Sequence, residues 1–261
     1  MPIHSFLRNA ALVAALATLP SAGALAQAIP EPVPEDYYRA ELVILKRLVD
    51  PADVEEQMAG KKVEPPVSSA RNLWVESEGG SRATDLKLLS RNQMHLGQSA
   101  RRLENSGRYR VLAAAGWHQG FPPGEDTGPM RVALGDWLTA AGHREIEGTI
   151  GIERRRYLHV DVDLNHWQVT EEALAEAREQ AEAEAARVMA NNGASGEQAA
   201  DAPETTSEMG TSQTASPSQP LKVDPQLVTW TREVRRMRSG EIHFIDSPTL
   251  GVLVYFEPIE E

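Results

Sequence analysis

The chain has no cysteine. Disulfides, thiol nucleophiles and thiolate metal sites are therefore all excluded. So are a cysteine-dependent wall transpeptidase and a lipid-bearing cysteine tether. Basic residues are outnumbered, with 26 Lys and Arg against 38 Asp and Glu, for a formal charge of -12. A nucleic-acid binder needs a broad basic surface to neutralise phosphates, and an anionic bilayer makes the same demand, so both partners are disfavoured. Long apolar runs are also missing. The most apolar run, residues 10–19, falls short of the roughly 20 residues that span a bilayer, so no stable membrane insertion is expected. H-E-x-x-H, G-x-S-x-G, S-x-x-K, P-loop and Rossmann fingerprints do not occur. A glycosidase needs only two suitably spaced carboxylates, which the many acids leave open. The residues otherwise point to a non-enzymatic chain, with no cofactor implied.

The short apolar run has a purpose of its own. His4 and Arg8 precede it, Pro20 follows, and Ala24-Leu25-Ala26 has the small-x-small form of a signal-peptidase site. This pattern predicts an export signal over residues 1–26, a mature start at Gln27 and a periplasmic destination. Residues 27–36, rich in proline and acids, read as an extended leader. A disulfide-free exported domain must be held by its own core. About 180 residues remain once the signal and a low-complexity insert are set aside, enough for one such core.

Periodicity supplies the elements. Residues 38–47 (YRAELVILKR) read as a first strand and residues 50–72, with three prolines, as a long loop. Leu86, Leu89, Leu96, Ala100 and Leu103 recur at helical spacing and predict an amphipathic helix over 85–105, stopped by Gly107. Residues 108–119 form a strand, and Pro122-Pro123-Gly124 opens another loop. Residues 145–167 make the clearest hairpin: Ile146, Ile150 and Ile152 alternate with acids, Arg154-Arg155-Arg156 turn the chain, and Leu158, Val160, Val162 and Leu164 alternate on the return. Thr170 is placed to cap an Ala/Glu-rich helix reaching about Met189, followed to about residue 225 by a stretch with almost nothing to bury. Residues 171–225 thus read as a helical and disordered insertion in a domain of residues 37–261. Residues 228–256 then supply three extended segments and two turns. The expected fold is a single α+β domain, a mostly antiparallel sheet of about six strands backed by at least one amphipathic helix.

The basic residues concentrate where the rest of the chain is acidic. Arg232, Arg235, Arg236 and Arg238 surround the turn at Ser239-Gly240, and Arg154, Arg155 and Arg156 form the other hairpin tip. Guanidinium groups hold carboxylates through paired hydrogen bonds, although each arginine is equally suited to pairing with Glu233, Glu241, Glu147 or Glu153. Five tryptophans outnumber four phenylalanines, and an indole offers a sugar an apolar plate with an orienting N–H; the bland alternative is a core position. Arg235, Arg236, Arg238 and Trp230 are the candidate ligand-binding residues. His159, Asp161 and Asp163 share one strand face, but Cβ atoms about 7 Å apart suit a solvated face better than a metal site. No metal ligand is assigned.

Three segments taken together, the AELVIL strand, SGRYRVLAAAGWHQ and RRMRSGEIHFIDSPTLGVLV, resemble the CsiV family of periplasmic peptidoglycan-binding proteins of gammaproteobacteria. The likeness covers most of the mature chain outside residues 171–225, with Ser247 where the pattern would place histidine before Pro248. It implies a non-enzymatic protein that binds the murein wall. It also implies support of wall growth through LpoA, an outer-membrane lipoprotein that activates a peptidoglycan synthase. It brings no assigned binding residues. Two other roles stay open on the residues alone: a protein–protein adaptor of the wall-synthesis machinery with little murein affinity, and a wall hydrolase of unrecognised type.

Overall fold

Strands buried on both faces read as continuous apolar runs, whereas strands with one wet face alternate; this chain has both kinds. The computed structural model describes residues 36–50, 53–54, 69–194 and 221–260, all within the compact unit Val33–Glu261. The expected signal sequence, nearly all of the leader, most of the first loop and the low-complexity stretch after residue 194 lie outside the described residues.

The continuous runs build a four-stranded antiparallel sheet. It contains β1 (Tyr37–Arg47), β4 (Tyr109–Gly120), β9 (His243–Asp246) and β10 (Leu250–Pro258), in the order β4-β1-β10-β9. The alternating strands belong to a six-stranded sheet. Its members are β2 (Arg71–Glu76), β3 (Arg82–Ala83), β5 (Met130–Leu138), β6 (His143–Arg154), β7 (Leu158–Gln168) and β8 (Gln226–Arg236), in the order β3-β2-β5-β6-β7-β8. All neighbours run antiparallel except β2 and β5. The chain is thus α+β and mostly antiparallel, as expected, but its strands are shared between two sheets. Residues 73–83 and 130–138 carried no strand expectation. Their strands are either very short or broken by a bulge, as β5 is between Leu134 and Trp137.

The sheets pack face to face. Leu42, Ile44, Trp117, Val252, Val254 and Phe256 of the smaller sheet share one core with Leu134, Ile146, Ile150, Val160, Val162 and Leu164 of the larger. Each fully buried side chain of this kind contributes roughly 1.5–3 kcal/mol. The outer face of the smaller sheet, with Val43, Leu45, Leu253 and Tyr255, is covered by α1 (Leu96–Asn105) through Leu96, Ala100 and Leu103. The alternation of β6, β7 and β8 follows from the opposite situation, because among the described residues no helix forms a packed layer on the outer face of the larger sheet.

The amphipathic helix is shorter than its periodicity predicts. Residues 85–90 are not helical: Leu86 and Leu88 pack against the main core, and the Leu89 N–H donates to the Gly116 carbonyl at 2.7 Å. A single turn at Arg91–Gln93 follows, capped by Ser90 and Gln93. The helix begins where Glu41, fully buried on β1, accepts the N–H groups of His95 and Leu96 at 2.9 and 2.8 Å. A carboxylate at a helix N-terminus satisfies orphan donors and complements the dipole. Arg39 Nε, 3.2 Å from Glu41, neutralises the buried charge. Gly107, at φ +68, ends the helix in the left-handed conformation expected of it.

After β7, Thr170 Oγ1 accepts the Ala173 N–H at 3.2 Å, and α2 (Glu171–Ala194) follows with an exposed surface. The three C-terminal strands do not stay together: β8 closes the larger sheet, and the chain then crosses to β9 and β10 in the smaller one.

Replacing Glu41 by alanine leaves two helix N–H groups unsatisfied and Arg39 with Glu257 alone as its acidic partner. The expected loss is about 3 kcal/mol, read as a lower urea midpoint, with Glu41→Gln losing less because one acceptor remains.

Candidate ligand-binding surface

Pairing with β7 sets the two faces of β8. Trp230, Arg232, Val234 and Arg236 stand opposite Asn165, Asp163, Asp161 and His159. These even-numbered residues of β8 share the open face, and the odd-numbered Thr229, Thr231, Glu233 and Arg235 face the other way. The four candidate residues are therefore not one cluster. Trp230 and Arg236 share a face but are six positions apart, roughly 20 Å along the strand. Arg235 faces away from them, donating from Nη1 to the Phe244 carbonyl at 2.5 Å and pairing with Glu233 at 2.6 Å. It fastens β8 to β9 across the two sheets. Arg238 lies past the end of β8, largely exposed, with Nη1 3.6 Å from Glu241.

The open face carries two aromatic stations. At one end, Trp230 Nε1 donates to Asp163 Oδ1 at 3.1 Å, Arg232 Nη2 donates to Asp163 Oδ2 at 2.9 Å, and the Arg232 guanidinium lies 4.5 Å from the indole centroid. The carboxylate thus fixes the indole and the guanidinium together. At the other end, Tyr157 is 42% exposed with two guanidinium groups near it, Arg236 at 4.8 Å and Arg156 at 5.7 Å from its ring centroid. Between the stations is a hollow of about 190 Å³, lined by Asp126, Glu153, Arg155, His159, Asp161 and Val234 among others. Burial pushes the Asp161 carboxyl above its usual range and Asp163 adds to the rise, while Arg232 opposes it.

His159, Asp161 and Asp163 do share this face. His159 Nδ1 is engaged by the Tyr157 carbonyl at 2.9 Å, and Asp163 is taken by Trp230 and Arg232. Among the described residues, no three such side chains are gathered to hold a metal ion. Trp117 and Trp74 are core residues. Ser247 is occupied locally: its Oγ accepts the Leu250 N–H and donates to the Leu250 carbonyl, both at 3.0 Å, closing the β9–β10 turn.

A second polar group lies between the sheets, and sequence reasoning missed it. Glu145, read as a solvent-facing acid of the hairpin, is 4% exposed. Lys46 Nζ of β1 donates to it at 2.6 Å and Arg110 Nη2 of β4 at 2.9 Å, while Arg110 also holds Asp136. His166 Nε2 stands 3.8 Å from the same carboxylate, and its Nδ1 meets Thr249 Oγ1 at 2.9 Å. The inward turn of Glu145 depends on the β5 bulge. Gly135 adopts φ +88 there, and any Cβ at that position would overlap the glutamate side chain. Burial pushes the carboxyl pKa up, yet His166, Lys46 and the Asp136 backbone outweigh it and hold the value at about 2. At 3.8 Å, His166 is beyond hydrogen-bond reach of the carboxylate, so Lys46 at 2.6 Å is the firmer support. A carboxylate held ionised this firmly suits an intersheet tie, not a proton carrier near neutrality.

A family model described as peptidoglycan-binding protein, CsiV, matches residues 10–259, nearly the whole chain. No curated protein matches the chain, and no solved structure does.

The depressed pKa of Glu145 sets a pH dependence. A carboxylate at about 2 when folded against 4.5 normally contributes stability that is complete above pH 4.5 and lost as pH falls toward 2. Urea midpoints measured over that window should fall for the wild type. The decline should be shallower in Glu145→Gln, which starts from a lower midpoint at neutral pH.

Proposed function

Because the chain belongs to the CsiV family, we propose that it is a non-enzymatic periplasmic protein that binds peptidoglycan through the open face of its larger sheet. The observation that carries this reading is the pair of aromatic stations, Trp230 with Arg232 and Asp163, and Tyr157 with Arg156 and Arg236. A polymer with sugar rings and carboxylate-bearing peptides offers partners for both. Pyranose faces rest on aromatic plates, and peptide carboxylates pair with guanidinium groups. Stations roughly 20 Å apart on a rigid strand favour an extended ligand over a small one. Arg238, exposed beyond the end of β8, extends the basic side of this surface, and Arg235 supports it from behind through Phe244.

In this reading the protein supports wall assembly alongside an LpoA-like outer-membrane lipoprotein that activates a peptidoglycan synthase. The family resemblance motivates that partnership, and mixing the purified proteins followed by sedimentation analysis tests it independently of the wall.

The primary test is cosedimentation with purified, protein-free sacculi across a salt series. Saturable pelleting that fades as salt rises is expected, because the guanidinium contribution is screened. Trp230→Ala combined with Arg236→Ala should weaken pelleting by about tenfold or more with an unchanged circular dichroism spectrum. Arg235→Ala is the less informative variant, since it also loosens β8 from β9. Absence of pelleting at low salt would overturn the wall-binding reading.

A further inference from the structure

Among the described residues the smaller sheet ends at β4, whose one strand partner there is β1. Along the other edge of β4 runs a groove of about 530 Å³, within the range of small-ligand sites. Its base is residues 111–114, with Trp74 and Arg82 on one side and residues 88–91 on the other. The Gly116 carbonyl points into this edge, because it accepts the Leu89 N–H at 2.7 Å. Alternation along the strand places the Ala114 N–H and C=O on the same outward side. The Leu89–Gly116 hydrogen bond therefore occupies one end of this edge, and the groove is where a further strand would pair. Val111, Leu112 and Ala114 pack into the cores on either side of the sheet, which leaves the backbone as the feature offered to a guest.

The walls of the groove are cationic. Arg82 lies 4.2 Å over the Trp74 ring and has no acidic partner among the described residues, although the chain carries twelve excess negative charges. Arg91 reaches Glu104 through Nη2 at 3.3 Å, and its Nε has no acceptor among the described residues. Stacking on an indole holds a guanidinium in place while leaving its N–H fork free for a carboxylate.

We infer that the β4 edge is a docking site for a short extended peptide bearing carboxylates, the chemistry of the stem peptides of peptidoglycan. The inference rests on the wall-binding reading and names the part of the polymer that this groove takes. Backbone pairing with Ala114 supplies register in the manner of strand addition. Small side chains of the guest fit beside Leu89, and its carboxylates pair with Arg82 and Arg91. The open face of the larger sheet is then free to hold the glycan, so the two surfaces divide the polymer between them.

The test uses the full chain and a fluorescein-labelled synthetic tetrapeptide, alanyl-γ-glutamyl-diaminopimelyl-alanine, read by fluorescence anisotropy. Saturable binding is expected. Arg82→Glu, an exposed change, should weaken it at least about tenfold. Ala114→Pro, which removes the outward N–H and places a ring in the groove, should do the same, because an edge strand accepts proline on its free side. Melting curves establish that each variant is folded. Wild-type chain that pellets with sacculi but does not bind the tetrapeptide would overturn the groove assignment and leave the wall-binding reading standing. Tetrapeptide affinity unchanged in Arg82→Glu would likewise overturn it, as would a self-associated chain in which a second copy occupies the β4 edge. Failure to bind either sacculi or tetrapeptide would remove both readings.

Discussion

One buried carboxylate ties the two sheets together at the end where β1, β4 and β6 meet. Glu145 comes from the larger sheet, and its strongest partners, Lys46 and Arg110, come from the smaller. Apolar packing presses the sheets together but is tolerant of sliding. An ion pair at 2.6 Å is not. Removing one member of such a pair leaves an uncompensated buried charge, a penalty of roughly 3–5 kcal/mol, so the cluster penalises any other stacking of the sheets. His166, Thr249 and Thr229 extend the same network to the start of β10 and to β8. The open face, the β4 edge and the crossing from β8 to β9 all keep their geometry because this corner fixes how the sheets lie.

Much of the fold was legible, and the reasons are local. The β6–β7 hairpin stood out because one face is wet and the other dry, which writes a period of two into the residues. β1 and the segments of residues 228–256 were legible as strands from their Leu, Val and Ile content, whereas burial of β1 and β10 on both faces came only with the structure. The start of α1 was not legible: Leu86 and Leu89 have helical spacing, but tertiary partners claim them, and the true N-terminus is set by Glu41, far back in the chain. The division of the strands between two sheets came only with their pairing, which sends the alternating β8 to one sheet and the apolar β10 to the other.

The candidate site was partly legible for the same reasons. Alternation alone puts Trp230, Arg232 and Arg236 on one face of β8 and assigns Arg235 to the other, so grouping Arg235 with Arg236 overlooked information already in the spacing. The partnership of Asp163 with Trp230 needed the β7–β8 register, which no local signal carries. Glu145 was hidden more deeply. In sequence it is one acid among several in an alternating strand, and its inward turn depends on a bulge in the neighbouring strand and on cations contributed by two others.

The helix α2 leaves the structure between two strands that lie side by side. β7 and β8 are antiparallel neighbours, and a turn of two residues is enough to join such a pair. The chain instead departs through 24 helical residues, about 36 Å of rigid rise, before returning. Closing a longer loop costs little, about 0.6 kcal/mol for each doubling, so the sheets scarcely register the length of what lies between. The excursion is thus mechanically uncoupled from the sandwich. Its length and charge are free to change without disturbing the fold.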